Sequence, residues 1–160
     1  MEKVLLLGFA DQVSSKLLTE GATVAASLAA SLGCPWEVAL IGEKVQEAAN
    51  TLGGSGAAKF YGVGGEDFVS ARYSSDLPAA EALLKESQAT VVLAPGCSRA
   101  NRVLSALAMR LGGRADTHIS SVAVKEGRIL ANRWFYRQRM EACFTRPQRP
   151  WVIGLEPGNV

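Results

Sequence analysis

Short, mainly apolar runs alternate with helical segments along the first two thirds of this chain, and this order constrains the fold more than any other feature. Such a run, without polar alternation, is typical of a parallel strand buried on both faces. The predicted strands are Val4–Phe9, Trp36–Ile41, Lys59–Val63 and Thr90–Ala94. The predicted helices are Thr19–Leu32, Glu43–Leu52, a segment with Pro78 in its first turn that runs to about Ser87, and Ser98–Leu111. We therefore predict an α/β fold, a doubly wound parallel sheet with helices on both faces.

The pattern changes after the last predicted helix, where strand-like segments are separated by turns such as Glu126-Gly127. The predicted strands are Ile119–Val124, Arg128–Phe135, Glu141–Phe144 and Val152–Leu155. An antiparallel extension is common on an otherwise parallel sheet. We therefore expect one domain, residues 1–160, whose sheet has an antiparallel, β-rich C-terminal edge.

Length and cysteine content indicate an ordinary reduced protein. The 160 residues correspond to one domain of usual size. No apolar run approaches the roughly 20 residues of a membrane span, and the apolar run near the N-terminus is too short for a signal peptide. Three distant cysteines, Cys34, Cys97 and Cys143, form no CxxC pair. Free thiols fit a reducing compartment, so we expect a cytoplasmic protein.

Charge is divided unevenly between the two parts of the chain. Residues 1–98 carry a net charge of −5 and residues 99–160 a net charge of +7, although the total is only +2. Ten of the eleven basic residues in the second part are arginines, which suit interfaces and bidentate contacts with anions. The asymmetry indicates a partner or an anionic ligand, or else a solvated basic face.

The loop after the fourth predicted strand is a candidate anion site. It lies at the carboxyl end of a strand and at a helix N-terminus, where parallel sheets bind ligands and helices attract anions. Ser98 is predicted to cap the helix. Arg99 and Arg102 in the first turn oppose the helix dipole, which favours an anionic partner over solvated arginines only weakly. The candidate binding residues are Gly96, Ser98, Asn101 and Arg102.

Motifs for catalysis are missing from the sequence. Neither GxGxxG nor GxxxxGK[ST] occurs, and there is no G-x-S-x-G elbow. His118 is the sole histidine, which excludes a histidine metal cluster and paired histidine acid–base chemistry. We therefore predict no catalytic residues, no metal site and no enzyme activity of the chain alone.

The most unusual segment is Asn132–Arg139, in which three aromatic residues stand among arginines. Aromatic and arginine side chains are the common energetic anchors of protein interfaces. They also stack on nucleic-acid bases, but a single strand lacks a repeated aromatic platform. Protein contact is the leading interpretation, followed by core packing with solvated arginines and then by nucleic-acid binding. The predicted interface residues are Arg133, Tyr136, Arg137 and Arg139.

The order and spacing of several segments resemble one known family. These segments are Val92–Gly113, Gly127–Arg133, Tyr136 and Arg149–Gly158. Together they resemble the N-terminal domain of the electron-transfer flavoprotein alpha subunit. The resemblance implies a Rossmann-like fold of the adenine-nucleotide-hydrolase type that helps to form a heterodimer with a beta subunit. In the complete complex of that family, FAD is bound mainly by the C-terminal domain of the alpha subunit and AMP by the beta subunit.

The resemblance also implies what this chain lacks. In the family, a segment like Pro157-Gly158 leads into the flavin domain, whereas this sequence ends at Val160. We therefore expect a docking module that binds no FAD tightly and that assembles with a beta-like subunit or with itself. Where the family has a tyrosine and two glycines, this chain has Tyr136-Arg137-Gln138, which indicates an altered partner surface. The alternative prediction is a small AMP- or ATP-binding protein that uses the crevice near Gly8-Phe9, Gly42 and Pro95–Asn101, with binding that depends on Ser98 and Arg102.

Overall fold

Helices and strands alternate from the N-terminus up to residue 119 of the computed structural model, which describes residues 1–11 and 15–158. The helices are α1 (Ser15–Leu32), α2 (Val45–Thr51), α3 (Tyr73–Ser87) and α4 (Ser98–Arg110), with a short 3-10 helix at Glu66–Phe68. The strands are β1 (Val4–Phe9), β2 (Trp36–Ile41), β3 (Phe60–Val63), β4 (Val91–Pro95), β5 (Arg114–Ile119), β6 (Ser121–Lys125), β7 (Arg128–Phe135), β8 (Met140–Phe144) and β9 (Trp151–Leu155). None of the described helices is both long and apolar enough to cross a membrane.

Six strands form one parallel sheet in the order β3-β2-β1-β4-β9-β5. Successive side chains of each strand point to opposite faces, so Val91 and Leu93 pack with α1 while Val92 and Ala94 pack with α3 and α4. Both layers are closed to solvent, which explains the apolar runs of β1 and β4 and that of β2, which the buried Glu37 interrupts. The predicted doubly wound α/β fold is confirmed.

The helices bury one apolar side each. In α1, Leu18, Ala22, Ala25 and Leu28 recur at three- and four-residue spacing and lie against the sheet. Each leucine that is fully withdrawn from water contributes roughly 1.5–3 kcal/mol. This burial, rather than capping, holds the helices on the sheet and fixes the carboxyl ends of the strands in position.

The antiparallel strands form a sheet of their own. β7 pairs with β6 and β8, and none of the three pairs with the parallel sheet. The inward side chains pack against the cluster that contains α1, and they are Val122, Val124, Ile129, Ala131 and Phe144. The expected antiparallel extension of the parallel sheet is therefore corrected to a separate layer over α1.

Two strands near the C-terminus differ from prediction. β9 is a parallel strand that lies between β4 and β5, not an antiparallel strand at the edge. The segment predicted as one strand, Ile119–Val124, is divided between the end of β5 and most of β6. β5 was missed because Arg114–Ile119 contains four polar residues and is mostly half-exposed, so it shows no apolar run.

Two helices start earlier than predicted, and the first of them, α1, begins at Ser15 instead of Thr19. α3 begins at Tyr73, so Pro78 lies inside the helix rather than in its first turn. The first residues, Tyr73 to Asp76, carry no apolar periodicity, which hid the true start. Asp76 is buried although it is charged, and it forms an ion pair with Arg99 of α4.

Candidate functional site

A crevice lies at the carboxyl ends of β1, β2 and β4, where the strand order reverses between β1 and β4. Open parallel sheets bind ligands at such a point. One hollow of about 300 Å³ is bordered by the start of α4. A second, of about 250 Å³, lies between the ends of β1 and β2 and the segment that follows the 3-10 helix. Ser98 and Arg102 line the first hollow, and Glu43 and Lys44 line the second.

The cap of α4 is Cys97, not Ser98 as predicted. Cys97 has the extended backbone of an N-cap residue (φ −138°, ψ 165°), and its Sγ accepts a hydrogen bond from the backbone N–H of Ala100 at 3.4 Å. Ser98 is already the first helical residue. Its hydroxyl is therefore not used as a cap and stays at the border of the hollow.

Arg99 is neutralised inside the protein. Its Nε and Nη2 each donate to the Asp76 carboxylate at 2.8 Å, and Nη2 also donates to the Phe68 carbonyl at 3.0 Å. The guanidinium carbon lies 5.0 Å from the ring centre of Phe9. Arg99 is 7% exposed and Asp76 only 1% exposed. The anionic partner of Arg99, which lies in the first turn of α4, is therefore the Asp76 carboxylate of α3.

The other predicted crevice residues separate into two groups. Ser98 and Arg102 are exposed and border the same hollow. Gly96 instead faces β9, because its N–H donates to the Leu155 carbonyl at 2.7 Å and a Cβ there would lie 2.4 Å from that oxygen. Asn101 is exposed on α4 but does not line the hollow. Of the predicted crevice residues, the structure therefore brings together only Ser98 and Arg102.

Three carboxylates follow β2 and β3 at their carboxyl ends, and of the three only Glu43 lines a hollow of the crevice. Glu43 follows β2, and Glu66 and Asp67 form the 3-10 helix after β3; all three are exposed, and we call them the acidic rim. Negative charge beside a binding site repels phosphate groups. The described cavities measure about 210–360 Å³, at or below the lower end of the roughly 300–1,000 Å³ that encloses a drug-sized ligand. None of these hollows by itself would enclose FAD, which is larger still.

A second candidate site is the end of the β7–β8 hairpin, residues 133–140, which we call the hairpin tip. Phe135 pairs with Met140 across the two strands. Four large apolar side chains of the tip are exposed to solvent: Trp134 by 44%, Phe135 by 38%, Tyr136 by 74% and Met140 by 55%. Exposed large apolar side chains concentrated in one short segment make it a candidate interaction surface.

The turn of the hairpin tip has an unusual backbone. Tyr136, Arg137 and Gln138 have φ values of 49°, 55° and 63°, in the left-handed region. The turn is closed by the backbone N–H of Arg139, which donates to the Phe135 carbonyl at 3.2 Å. Left-handed conformations cost an ordinary residue roughly 1–2 kcal/mol each. Glycine would avoid this cost, so the turn retains side chains at the expense of stability.

All four predicted interface residues belong to the hairpin tip. Arg133 is half-buried, its guanidinium lies 5.0 Å from the ring centre of Phe135, and its Nε has no hydrogen-bond partner among the described residues. Tyr136, Arg137 and Arg139 are exposed. Arg137 and Arg139 make no ion pair within residues 1–11 and 15–158. Their proximity in sequence made their common location predictable.

Much of the charge asymmetry is balanced inside the molecule. Three arginines of the second part pair with carboxylates of the first: Arg99 with Asp76, Arg110 with Glu81 and Arg149 with Glu2. A fourth pair joins Arg146 and Asp116, whose carboxylate also accepts the Trp151 Nε1–H at 2.9 Å. No sequence signal identified these partners, because the first three pairs join residues far apart in the chain. Among the described residues, the arginines of the hairpin tip have no such carboxylate partner.

Metal binding has no support in the described part of the chain, where no group of three or more His, Cys, Asp or Glu side chains could hold an ion. Comparison with curated proteins gave no match to the sequence. Comparison with family profiles matched the electron transfer flavoprotein domain over residues 8–160. The match spans both sheets and both candidate sites, and it covers nearly the whole sequence. This chain belongs to the electron transfer flavoprotein domain family.

Proposed function

We propose that this chain is an alpha-subunit-like docking module of an electron-transfer flavoprotein system and that the hairpin tip is its contact surface. Members of the family are electron carriers rather than catalysts, and the family match supports such a role. The observation that carries the proposal is the exposed combination of aromatic and arginine side chains on residues 133–140. The partner in this role is a beta-like subunit.

The hairpin tip is exposed, and its residue types are also those that contribute most to binding energy at interfaces. Tyrosine, tryptophan and arginine are enriched among the few residues that dominate interface energies. Tyr136 is 74% exposed at the turn. Arg137 and Arg139, which follow it, have no counter-ion within the described ranges. A left-handed turn of three ordinary residues is retained only where something offsets its cost, and such strain concentrates at functional positions.

The same proposal assigns the flavin to another part of the complex. The cavities at the sheet and at the hairpin are too small for FAD, and the acidic rim disfavours its phosphates. The purified chain should therefore show no flavin absorbance. Flavin that copurifies at one equivalent per chain would contradict this part of the proposal.

The test removes the four predicted contact side chains together. The variant carries Arg133→Ala, Tyr136→Ala, Arg137→Ala and Arg139→Ala, and its assembly with a beta-like subunit is measured by calorimetry. Even if only two of these four side chains are energetic anchors, their loss weakens the interface by about 3–4 kcal/mol. The affinity should therefore fall at least about a hundredfold. Circular dichroism verifies that the variant is folded.

A matched control removes two arginines from elsewhere on the surface. Arg114 and Arg128 are exposed and lie at the starts of β5 and β7, away from the tip. Arg114→Ala with Arg128→Ala should leave assembly unchanged. Equal affinities of the quadruple variant and the parent chain would refute the docking role of the tip.

Nucleotide binding is the second candidate function. One observation favours it: a hollow of about 300 Å³ with Ser98 and Arg102 on its border, at the reversal of strand order. Calorimetry with AMP and ATP would then show saturable binding that is lost when both residues become alanine. No binding at millimolar nucleotide would remove this candidate, and the acidic rim makes it the weaker one.

A further inference from the structure

The hairpin tip and the acidic rim lie at the same end of the molecule. The acidic rim follows β2 and β3 at their carboxyl ends. Trp134 and Gln138 of the tip line a hollow of about 360 Å³ together with Glu156 and Pro157, which directly follow β9. All strands of the parallel sheet run in one direction, so both patches lie at its carboxyl end.

The two patches are too far apart to neutralise each other. β2 and β3, which the rim follows, lie three and four strand spacings from β9, or about 14 and 19 Å at roughly 4.8 Å per strand. Both separations exceed the screening length of about 8 Å at physiological ionic strength. The positive tip and the negative rim therefore behave as independent charges on one face.

The patches are complementary in charge and in apolar content. Arg133, Arg137 and Arg139 supply three positive charges, and Glu43, Glu66 and Asp67 supply three negative ones. None of these three carboxylates forms an ion pair with a described residue. The rim also has an exposed apolar neighbour, Val69, which is 55% exposed. The aromatic side chains of a tip would find an apolar contact there.

From this arrangement we propose that the carboxyl-end face of the sheet binds a second copy of this chain through two identical contacts. In a two-fold dimer, each surface patch meets the other patch of its partner, so a face with one basic and one acidic patch is self-complementary. The tip of each copy lies on the acidic rim of the other. The proposal rests on the docking function of the tip and adds a second copy of this chain to the beta-like subunit as a partner of that surface.

A charge exchange tests the dimer directly. The hairpin-reversed variant carries Arg137→Glu and Arg139→Glu, and the rim-reversed variant carries Glu66→Lys and Asp67→Lys. In either variant alone, both contacts of the dimer join like charges, and its dissociation constant should rise roughly a hundredfold. In an equal mixture, both contacts again join opposite charges, so the mixed dimer should form. Arg114→Glu with Arg128→Glu is the matched control and should dimerise like the parent chain.

Sedimentation velocity at about 100 µM protein and about 50 mM salt measures all five samples. We expect a dimer for the parent chain, monomers for each reversed variant and a dimer for their mixture. A monomeric parent chain overturns the proposal, as does a dimer that survives hairpin reversal or a mixture that stays monomeric. Circular dichroism of each variant confirms its fold.

A second measurement separates this proposal from the docking function itself. The hairpin-reversed variant is titrated with a beta-like subunit. A monomeric parent chain whose binding to that subunit depends on the tip would refute the self-association and leave the docking function intact. A tip-dependent dimer whose binding to the subunit is unaffected by reversal would support the self-association and refute the beta-like partner.

Discussion

Neutralising Asp76 should destabilise this protein more than any other single change of charge described above. The Asp76→Asn substitution leaves the Arg99 guanidinium buried at 7% exposure without its counter-charge. Removing one partner of a buried ion pair costs about 3–5 kcal/mol. A domain of this size loses about 2–4 °C of Tm per kcal/mol, so its Tm should fall by roughly 6–20 °C.

The magnitude follows from the environment of the pair. Both carboxylate oxygens of Asp76 accept at 2.8 Å, and the Phe68 carbonyl takes a further donor of Arg99 at 3.0 Å. Replacing both charges, by Asp76→Leu and Arg99→Met, removes the burial cost together with the attraction. Such exchanges are often neutral or stabilising, so the double variant should be much more stable than Asp76→Asn.

Urea-induced unfolding, followed by circular dichroism, measures all variants. Glu81→Gln is the control, because Glu81 lies on the same helix as Asp76, pairs with the exposed Lys85 and Arg110, and should change stability little when neutralised. The reasoning would be refuted if Asp76→Asn unfolded at the same urea concentration as this control. It would also be refuted if the double variant were as unstable as the single one.

Three further predictions concern packing, backbone and pH. Gly113→Ala should cost about 1–3 kcal/mol in urea unfolding, because the new Cβ would lie 2.0 Å from a backbone carbonyl oxygen; Gly54→Ala, with no atom within 4 Å, is the control, and equal effects would contradict the packing. Gln138→Gly should stabilise by up to about 1 kcal/mol by relieving the left-handed turn, and a loss of stability would argue against that turn. Burial alone would raise the pKa of Glu2, but hydrogen bonds from Arg149 and Thr90 outweigh it and hold the pKa below its ordinary 4.5. Its stabilisation is thus present above pH 4.5 and is lost as the pH falls through the folded-state pKa, so Glu2→Gln should flatten the acid limb of the stability profile, and an unchanged limb would exclude this contribution.

Local patterns predicted the fold where burial alone decides it. The bounds of β1, β2 and β7 agree with prediction to the residue. The position of β9 was wrong for a different reason. Strands that follow each other in sequence usually lie side by side, which favoured the edge for Trp151–Leu155. Its uninterrupted burial, the signature of an interior parallel strand, carried the better information.

The two candidate sites differ in the same way. The residues of the hairpin tip are neighbours in sequence, so their common location followed from one segment. The state of Arg99 depends on Asp76, which lies 23 positions away in a helix whose start was misplaced. Only the tertiary structure shows that this arginine is already neutralised and that Arg102 is the one left at the hollow.

The interior position of β9 has a consequence for biosynthesis. Until residues 151–155 leave the ribosome, β4 and β5 have no strand between them, and each presents an unpaired backbone edge. A growing chain at this stage holds a half-finished sheet that offers two templates for unwanted pairing with other polypeptides. Completion of the parallel sheet therefore waits for β9, which is synthesised after all the other described strands.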